Sequence, residues 1–527
     1  MKKKTLFLIF LLLFFLITLS FVVWDLSGRE STFTPSNSQE HSQGTNNADI
    51  SDNPVNKETT KTQAKQNKGV NTNQKNDFLS VAEFTENNIG STILGRPTDK
   101  SIALNIIASK GMEAYVEYGT APAIYSQKTS IFASVDGDPI VVDIENLEPD
   151  TEYYYRVSYR KWGGEFIAGK VYSFHTARES GSTFIFAVQG DSHPERIGIM
   201  YNPELYKITM NNVLLDHPDF YFTIGDDFSI DNLIQKDTLN QELVDRIYLN
   251  QRNYLGIIGS SVPLFLVNGN HEQAAMYLLD GTLNNAAVLA AKSRIKNYAL
   301  PTPDDFYSGD MEEVEFVGFL RDYYAFEWGD ALFVVIDPYW HSDVSVDNIP
   351  GNDHIDTKRD MWNITLGDEQ YQWFKKTLEE SDATYKFVFT HHVLGTGRGG
   401  IENAKLYEWG GYGRNGLWEF DEKRPNWELP IHQLMVENNV TIFFQGHDHL
   451  FAYQKLDGII YQTLPNPADD TYNAFNKDAY KTGDTLPNSG YMRITVSPER
   501  VNVEYVRSFL PGDGTNGEIA YNYEVLS

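Results

Sequence analysis

Five short blocks of this 527-residue chain gather side chains of the kind that hold cations: Gly190-Asp191-Ser192-His193, Gly225-Asp226-Asp227, Asn268-Gly269-Asn270-His271-Glu272, Thr390-His391-His392 and Gly446-His447-Asp448-His449. Carboxylate and amide oxygens with imidazole nitrogens suit Fe, Mn, Zn or similar ions. The chain has no cysteine, which removes disulfides, thiolate ligands, iron–sulfur sites and cysteine nucleophiles together. Two such ions about 3.5–4 Å apart can share a hydroxide and clamp the entering and leaving oxygens of an in-line displacement at phosphorus, with a bridging carboxylate offsetting their repulsion. Singly, each block is weak. Gly-Asp is a turn far more often than a metal site, His-x-His at a strand end is usually a satisfied polar contact, and Asn-Gly-Asn is often just a turn. Their joint occurrence, each after an apolar run, carries the reading.

Those runs are the elements that must position the blocks. Residues 184–188, 220–224, 264–267, 332–336, 387–389 and 441–444 are short and apolar, as in buried strands. From about Thr183 such strands alternate with helical patterns, which predicts an α/β domain. Ligands in open α/β sheets lie outside the carboxyl ends of strands, so the five blocks are expected to converge on one rim of a sheet. A glycine just before the ligands in four of the five blocks would let the backbone turn sharply beside the ions. The run Asp368 to Glu379 reads as a helix with an acidic first turn and with Tyr371, Phe374 and Leu378 on one face. Residues 491–496 and 501–506 read as a hairpin about Ser497-Pro498-Glu499-Arg500.

Asp191/His193, Asp226, Asn270-His271-Glu272, His391 and His447/His449, in this order, resemble the motif set of calcineurin-like metallophosphoesterases over roughly Thr183 to Ser508. The resemblance implies a four-layer α/β/β/α sandwich and a two-metal phosphoester hydrolase, phosphatase or phosphodiesterase, acting on a phosphorylated small molecule or polymer. It implies that Asp191, His193, Asp226 and His449 hold one ion and that Asp226, Asn270, His391 and His447 hold the other, with Asp226 bridging. His391 rather than His392 fills the family's single-histidine position after its strand, which leaves His392 either substrate-facing or structural. In this scheme His271, directly after ligand Asn270, is a candidate general acid for the departing alkoxide, with a purely hydrogen-bonding role as the alternative. Two departures stand out. Purple acid phosphatases carry a tyrosine three residues after the bridging aspartate, where this chain has Ser229, and their first motif lacks a histidine at the position of His193. A protein without the purple colour is expected. Protein phosphatases of the wider group carry there an aspartate that orients the histidine acid. Ser229 cannot do this as an anion, and Asp227 or Asp231 could substitute.

Four segments are expected. Residues 1–26, with Met1-Lys2-Lys3-Lys4 before an apolar run from Leu6 to about Trp24, read as a signal anchor crossing the membrane once, lysines inside and the rest outside. Cleavage would instead release a secreted protein, and the absence of cysteine excludes a lipoprotein. Residues 27–76, rich in Ser, Thr, Asn, Gln and Lys, read as a disordered tether. Residues 77–180 alternate as short strands at 101–108, 114–118, 140–144, 152–159 and 170–175. The spacing Leu147-x-Pro149-x-Thr151-x-Tyr153 looks like the tyrosine corner of a fibronectin type III-like sandwich, most similar to the domain that precedes the catalytic domain in purple-acid-phosphatase-like proteins. Residues 181–527 form the catalytic domain. The net charge of −29 disfavours a stable nucleic-acid partner, although bound divalent cations can reverse the potential locally.

Two segments could shape a substrate pocket, 339–363 and 395–427. The second contains Arg398 and Arg414, whose guanidinium groups could grip phosphate oxygens or instead pair with acidic neighbours such as Glu402 or Glu408. A surface-anchored binding protein on a non-catalytic phosphoesterase-like scaffold would be marked by lost ligands, and none of the ligand positions is lost. A metallopeptidase would be expected to show His-Glu-x-x-His, which is absent.

Overall fold

The structure, a computed structural model, describes residues 89–274, 279–342, 344, 346, 360–392 and 397–527. The expected anchor at 1–26 and tether at 27–76 lie outside the described residues. Among the described residues no helix is long and apolar enough to cross a membrane.

The described residues open with eight strands: β1 (Thr92–Gly95), β2 (Ser101–Ile106), β3 (Met112–Gly119), β4 (Gln127–Lys128), β5 (Phe132–Ser134), β6 (Ile140–Glu145), β7 (Glu152–Lys161) and β8 (Ile167–His175). In β6 the sequence Ile-Val-Val-Asp-Ile-Glu alternates buried and exposed, as a strand with one wet face must. Strands β3, β4, β5, β7 and β8 form one sheet, and its core includes Val116, Tyr155, Val157 and Phe174 facing Leu104 and Val142. The Tyr153 hydroxyl accepts the Glu148 backbone N–H at 2.9 Å.

Among the described residues sixteen further strands follow. In the first group, β9 (Phe184–Gln189), β10 (Phe220–Thr223) and β11 (Leu264–Leu266) run parallel. Next come β12 (Ser308–Gly309), β13 (Glu313–Val314), β14 (Gly318–Phe319), β15 (Tyr324–Trp328), β16 (Ala331–Val335), β17 (Tyr385–Thr390), β18 (Ile442–Gln445), β19 (Phe451–Leu456), β20 (Ile459–Thr463) and β21 (Asp484–Leu486). The chain ends with β22 (Gly490–Val496), β23 (Arg500–Arg507) and β24 (Ile519–Leu526). Apart from β13 and β14, which pair with each other, they build two large sheets, of order β24-β23-β22-β9-β10-β11-β1-β2-β6 and β12-β15-β16-β17-β18-β20-β19-β21. The first sheet draws β1, β2 and β6 from the N-terminal region, with β1 parallel to β11.

Phenylalanine explains why the sheets face each other. Phe186, Phe220, Phe222 and Phe265 of the first sheet meet Phe326, Phe333, Phe387, Phe389 and Phe444 of the second in one buried cluster. The Phe222 and Phe389 rings stack at 4.3 Å, and Phe186 meets Phe333 edge to face at 5.1 Å. Each such ring taken out of water contributes about 1.5–3 kcal/mol, plus a smaller pairwise gain. The outer faces are covered by helices. Pro203–Leu215, capped by the Asn202 side chain on the Glu204 and Leu205 N–H groups, and Gln241–Gly259 pack on the first sheet. Asp368–Glu380 packs on the second through Tyr371, Phe374 and Leu378, the face its sequence predicts. The result is the four-layer α/β/β/α arrangement with an extensive β region before it.

Buried polar bonds fasten that β region to the layers. Arg252, on the helix Gln241–Gly259, donates to the Ser91 carbonyl at 2.9 Å and to Asn105 at 2.8 and 2.7 Å. The Tyr155 hydroxyl donates to the Ser260 carbonyl at 2.7 Å.

Candidate metal centre

The five blocks do meet, but on two rims rather than one. Asp191, Asp226 and Asn270 follow β9, β10 and β11 of the first sheet, whereas His391 and His447/His449 follow β17 and β18 of the second. Convergence therefore needs the Phe-filled interface to hold both sheets at a common end.

The glycines before the ligands serve closeness more than turning. Only Gly225 has a left-handed backbone, φ 96°. At Gly190, Gly269 and Gly446 the constraint is space. A Cβ on Gly446 would lie 2.5 Å from Asp191 Oδ1, one on Gly269 would lie 2.2 Å from Asp226 Oδ1, and one on Gly190 would lie 2.8 Å from the Leu464 carbonyl oxygen. The left-handed positions belong to the ligands: His193 (φ 49°), Asp226 (58°), His447 (71°) and His449 (54°). Non-glycine residues held there cost of order 1–3 kcal/mol each, a cost usually met at functional sites.

Asp191, His193 and His449 bring ligand atoms within 4.8 Å of one another, and so do Asp226, His391 and His447. In the first group His449 Nε2 is 2.9 Å from Asp191 Oδ2 and 3.0 Å from His193 Nε2. In the second, His391 Nε2 is 3.1 Å from Asp226 Oδ2 and 3.0 Å from Asn270 Oδ1, and His447 Nδ1 is 3.1 Å from the same amide oxygen. Asp226 Oδ2 also lies 3.5 Å from His193 Nε2, so it faces both groups. Two of the outer imidazole nitrogens have partners, His391 Nδ1 the Ile224 carbonyl and His193 Nδ1 Glu195 Oε1, both at 2.8 Å. That fixes the ring and turns the other nitrogen inward, as metal-ligating histidines require.

Electrostatics agree with a centre built for cations. Burial pushes the Asp226 carboxyl up, but the charges of His391 and His271 outweigh it and hold the group well below the usual carboxylate range. Asp191 is likewise held down against burial, by His391 and His449. Burial opposes a proton on His391, yet Asp226 and Asp191 push it up to about 10. His193 goes the other way, pushed well below 6.5 by burial, Arg196 and His449. Hard oxygen and imidazole donors, buried and with the outer nitrogens of His193 and His391 tied off, fit a pair of divalent or trivalent ions of the Fe, Mn or Zn kind.

A family model of calcineurin-like phosphoesterases matches residues 184–451, half of the chain. The chain belongs to that family. The phosphoesterase is similar to two solved structures. One is a purple acid phosphatase from yellow lupin (Lupinus luteus) seeds, 16% identical, covering 84% of this chain and 74% of that one, TM-score 0.55. The other is PhoD, 16% identical, covering 83% of this chain and 90% of that one, TM-score 0.58. At such identity the likeness is one of fold. A search of curated proteins found no match. The chain is thus a metal-dependent phosphoester hydrolase, of a family that uses two metal ions, with buried His/Asp groups able to hold them.

Around the ligands the phosphoesterase carries a supporting layer that the motif reading covers only in part. Glu272 accepts four backbone N–H bonds, from Asp227 (2.7 Å) and Phe228 (2.9 Å) on Oε1 and from Gly269 (2.8 Å) and Asp226 (3.0 Å) on Oε2, so one carboxylate ties the Asp226 loop to the Asn270 loop. Burial and the charge of Asp226 push it up to about 7. Asp227 takes Ser192 Oγ at 2.5 Å and Gln189 Nε2 at 2.9 Å, and burial pushes its carboxyl well above the usual range. It is spent on this support and is not the partner of His271. That partner is Asp231, whose Oδ2 meets His271 Nδ1. Burial lowers His271, but Asp226 and then the bond to Asp231 push it up to about 10. Its Nε2 lies 3.8 Å from Asp226 Oδ2 and 3.2 Å from Arg196 Nη2.

The three residues put forward for substrate contact separate. His392 is buried at 1% exposure, with its ring stacked on His447 at 4.2 Å. Arg398 donates through Nη1 to the His447 carbonyl at 2.6 Å and to Asp448 Oδ1 at 3.0 Å, so its acidic partner is neither Glu402 nor Glu408. Glu408 instead pairs with Arg424 at 3.1 Å. Arg414 is exposed, and among the described residues no hydrogen bond or ion pair joins it to the ligands. The sequence reading missed Glu195 and Arg196 altogether. The signal was present in Asp191-Ser192-His193-Pro194-Glu195-Arg196, where a charged pair directly follows the first ligand block.

Proposed function

We propose that the phosphoesterase works outside the cytoplasm as a dinuclear enzyme in which Asp226 is shared by both ions. The supporting observation is the position of Asp226 Oδ2, 3.1 Å from His391 Nε2 and 3.5 Å from His193 Nε2. When bound, two such ions supply Lewis-acid stabilisation and an acidified water for attack at phosphorus. The chain's own groups do the rest. Asp191, His193 and His449 would hold one ion and Asn270, His391 and His447 the other, and the Asp226 carboxylate between the two groups would offset the repulsion between them. His271 passes a proton from Nε2 to the departing ester oxygen, while Asp231 holds the ring through Nδ1 and stabilises its charged form. Ser229 leaves no tyrosinate at the position that colours the purple enzymes, so no visible charge-transfer band is expected. The extracytoplasmic placement is supported by the basic start and apolar run at residues 2–24.

The decisive test is hydrolysis of p-nitrophenyl phosphate and bis-p-nitrophenyl phosphate by protein stripped with a chelator and reloaded with Mn, Zn or Fe. Turnover restored by metal is expected, and the better ester assigns a monoesterase or diesterase. No turnover with any metal would overturn the enzymatic reading. Protease digestion of the catalytic domain on intact cells checks its location, and full protection would refute it.

A further inference from the structure

We infer that Arg196 grips a non-bridging oxygen of the substrate's phosphoryl group beside His271; the inference rests on the phosphoester hydrolase reading above. Arg196 ends the short turn Pro194–Arg196 that leaves His193, so one six-residue stretch supplies two ligands, the carboxylate behind one of them and a guanidinium. The guanidinium is poorly satisfied for so polar a group. Nη2 meets His271 Nε2 at 3.2 Å, Nη1 meets the Met200 sulfur at 3.4 Å, and Nε lies 3.3 Å from Glu195 Oε1. Glu195 is already engaged by His193 at 2.8 Å. The side chain is 30% exposed, whereas Glu195, His193 and His271 are at 7%, 0% and 14%. Arg196 is therefore a cation at the mouth of a buried centre, touching the nitrogen that must face the departing oxygen. Phosphoryl oxygens are stronger acceptors than an imidazole or a thioether, and a guanidinium fork can take them in bidentate fashion. With its proton on Nε2, His271 meets Arg196 as donor against donor at 3.2 Å, and a phosphoryl oxygen entering between them accepts from Arg196 while Nε2–H faces the ester oxygen. Arg398, the other arginine at the ligands, is committed through Nη1 to the His447 carbonyl and Asp448.

The test is calorimetric titration of metal-loaded wild type, Arg196→Ala and Arg196→Lys with inorganic phosphate, beside KM and kcat for p-nitrophenyl phosphate and the metal content of each protein. A lost charge-assisted hydrogen bond should weaken phosphate binding of Arg196→Ala roughly ten- to hundredfold and raise KM more than it lowers kcat, with metal content unchanged. Added guanidinium ion should restore part of the loss, which a merely structural arginine would not allow. Phosphate affinity within twofold of wild type would overturn the inference. So would a loss confined to metal content, which would make Arg196 only a brace for Glu195. A wild type that binds phosphate through Arg196 but hydrolyses no ester would sink the enzymatic reading and leave this one standing.

Discussion

The two halves of the metal centre use the same imidazole chemistry and anchor it differently. In the half built by Asp191, His193 and His449, the outer nitrogen of His193 meets a carboxylate, Glu195, and both histidines sit in left-handed backbone on loops. In the half built by Asp226, Asn270, His391 and His447, the outer nitrogen of His391 meets the Ile224 carbonyl and His391 directly follows β17, although His447 shares the left-handed backbone of the first pair. A carboxylate anchor adds charge and raises ligand basicity, whereas a carbonyl fixes orientation. The first half has its own carboxylate, Asp191, and Glu195 behind it, while the second has the neutral amide Asn270 beside the shared Asp226. The first should therefore bind the more highly charged cation, and bind it more tightly.

The largest effect is expected where the halves meet. Asp226→Asn removes the shared charge from both, so turnover should fall about a thousandfold or more, because several kcal/mol of transition-state stabilisation go with it. Metal analysis should show both ions weakened, with the melting transition still cooperative. Retained activity would mean that Asp226 bridges nothing. Glu195→Gln should act on one half alone, weakening one ion roughly ten- to hundredfold while the other binds as before. Equal weakening of both would erase the distinction between the halves.

A pH series sharpens the contrast. In the metal-free protein His391 is raised from 6.5 to about 10, chiefly by Asp226 and Asp191 against burial. Its folded value exceeds its unfolded one, so the stability it contributes is complete below 6.5 and is lost as pH rises through about 10. Within that window an entering ion must displace a proton, so affinity in this half should climb by up to about tenfold per pH unit. His193, pushed well below 6.5, is neutral throughout and releases none. Metal titration in buffers of differing ionisation enthalpy should therefore show about one proton more released by one ion than by the other. Equal release would refute the assignment.

What was legible in the sequence divides along similar lines. The ligands announce themselves because their order and residue types are fixed by coordination, and each follows an apolar run too short and too buried to be anything but a strand. The runs at 184–188 and 387–389 became β9 and β17 with a residue or two added at their ends. Glu195, Asp231 and Glu272 are harder to read, since supporting a ligand requires only that a carboxylate come near, at no set spacing. Even so, Asp231 was within reach once Ser229 failed as the orienting group. The joining of β1, β2 and β6 to the catalytic sheet was not legible. It depends on contacts between residues far apart in the chain, such as Arg252 with Asn105, which leave no local pattern.

The smallest effect tests whether the second half has a side-chain brace of its own. Arg398 reaches the His447 carbonyl at 2.6 Å, yet it is 37% exposed, so solvent weakens its pairing with Asp448. Arg398→Ala should cost the His447 half only about threefold to tenfold in metal affinity, in keeping with a single hydrogen bond worth about 0.5–1.5 kcal/mol. The measurement is competitive chelation beside KM for p-nitrophenyl phosphate. If KM rises tenfold or more while metal affinity holds, Arg398 serves substrate and the second half rests on backbone alone. If metal affinity falls as far as in Glu195→Gln, the two halves are braced alike and the asymmetry between them lies only in charge.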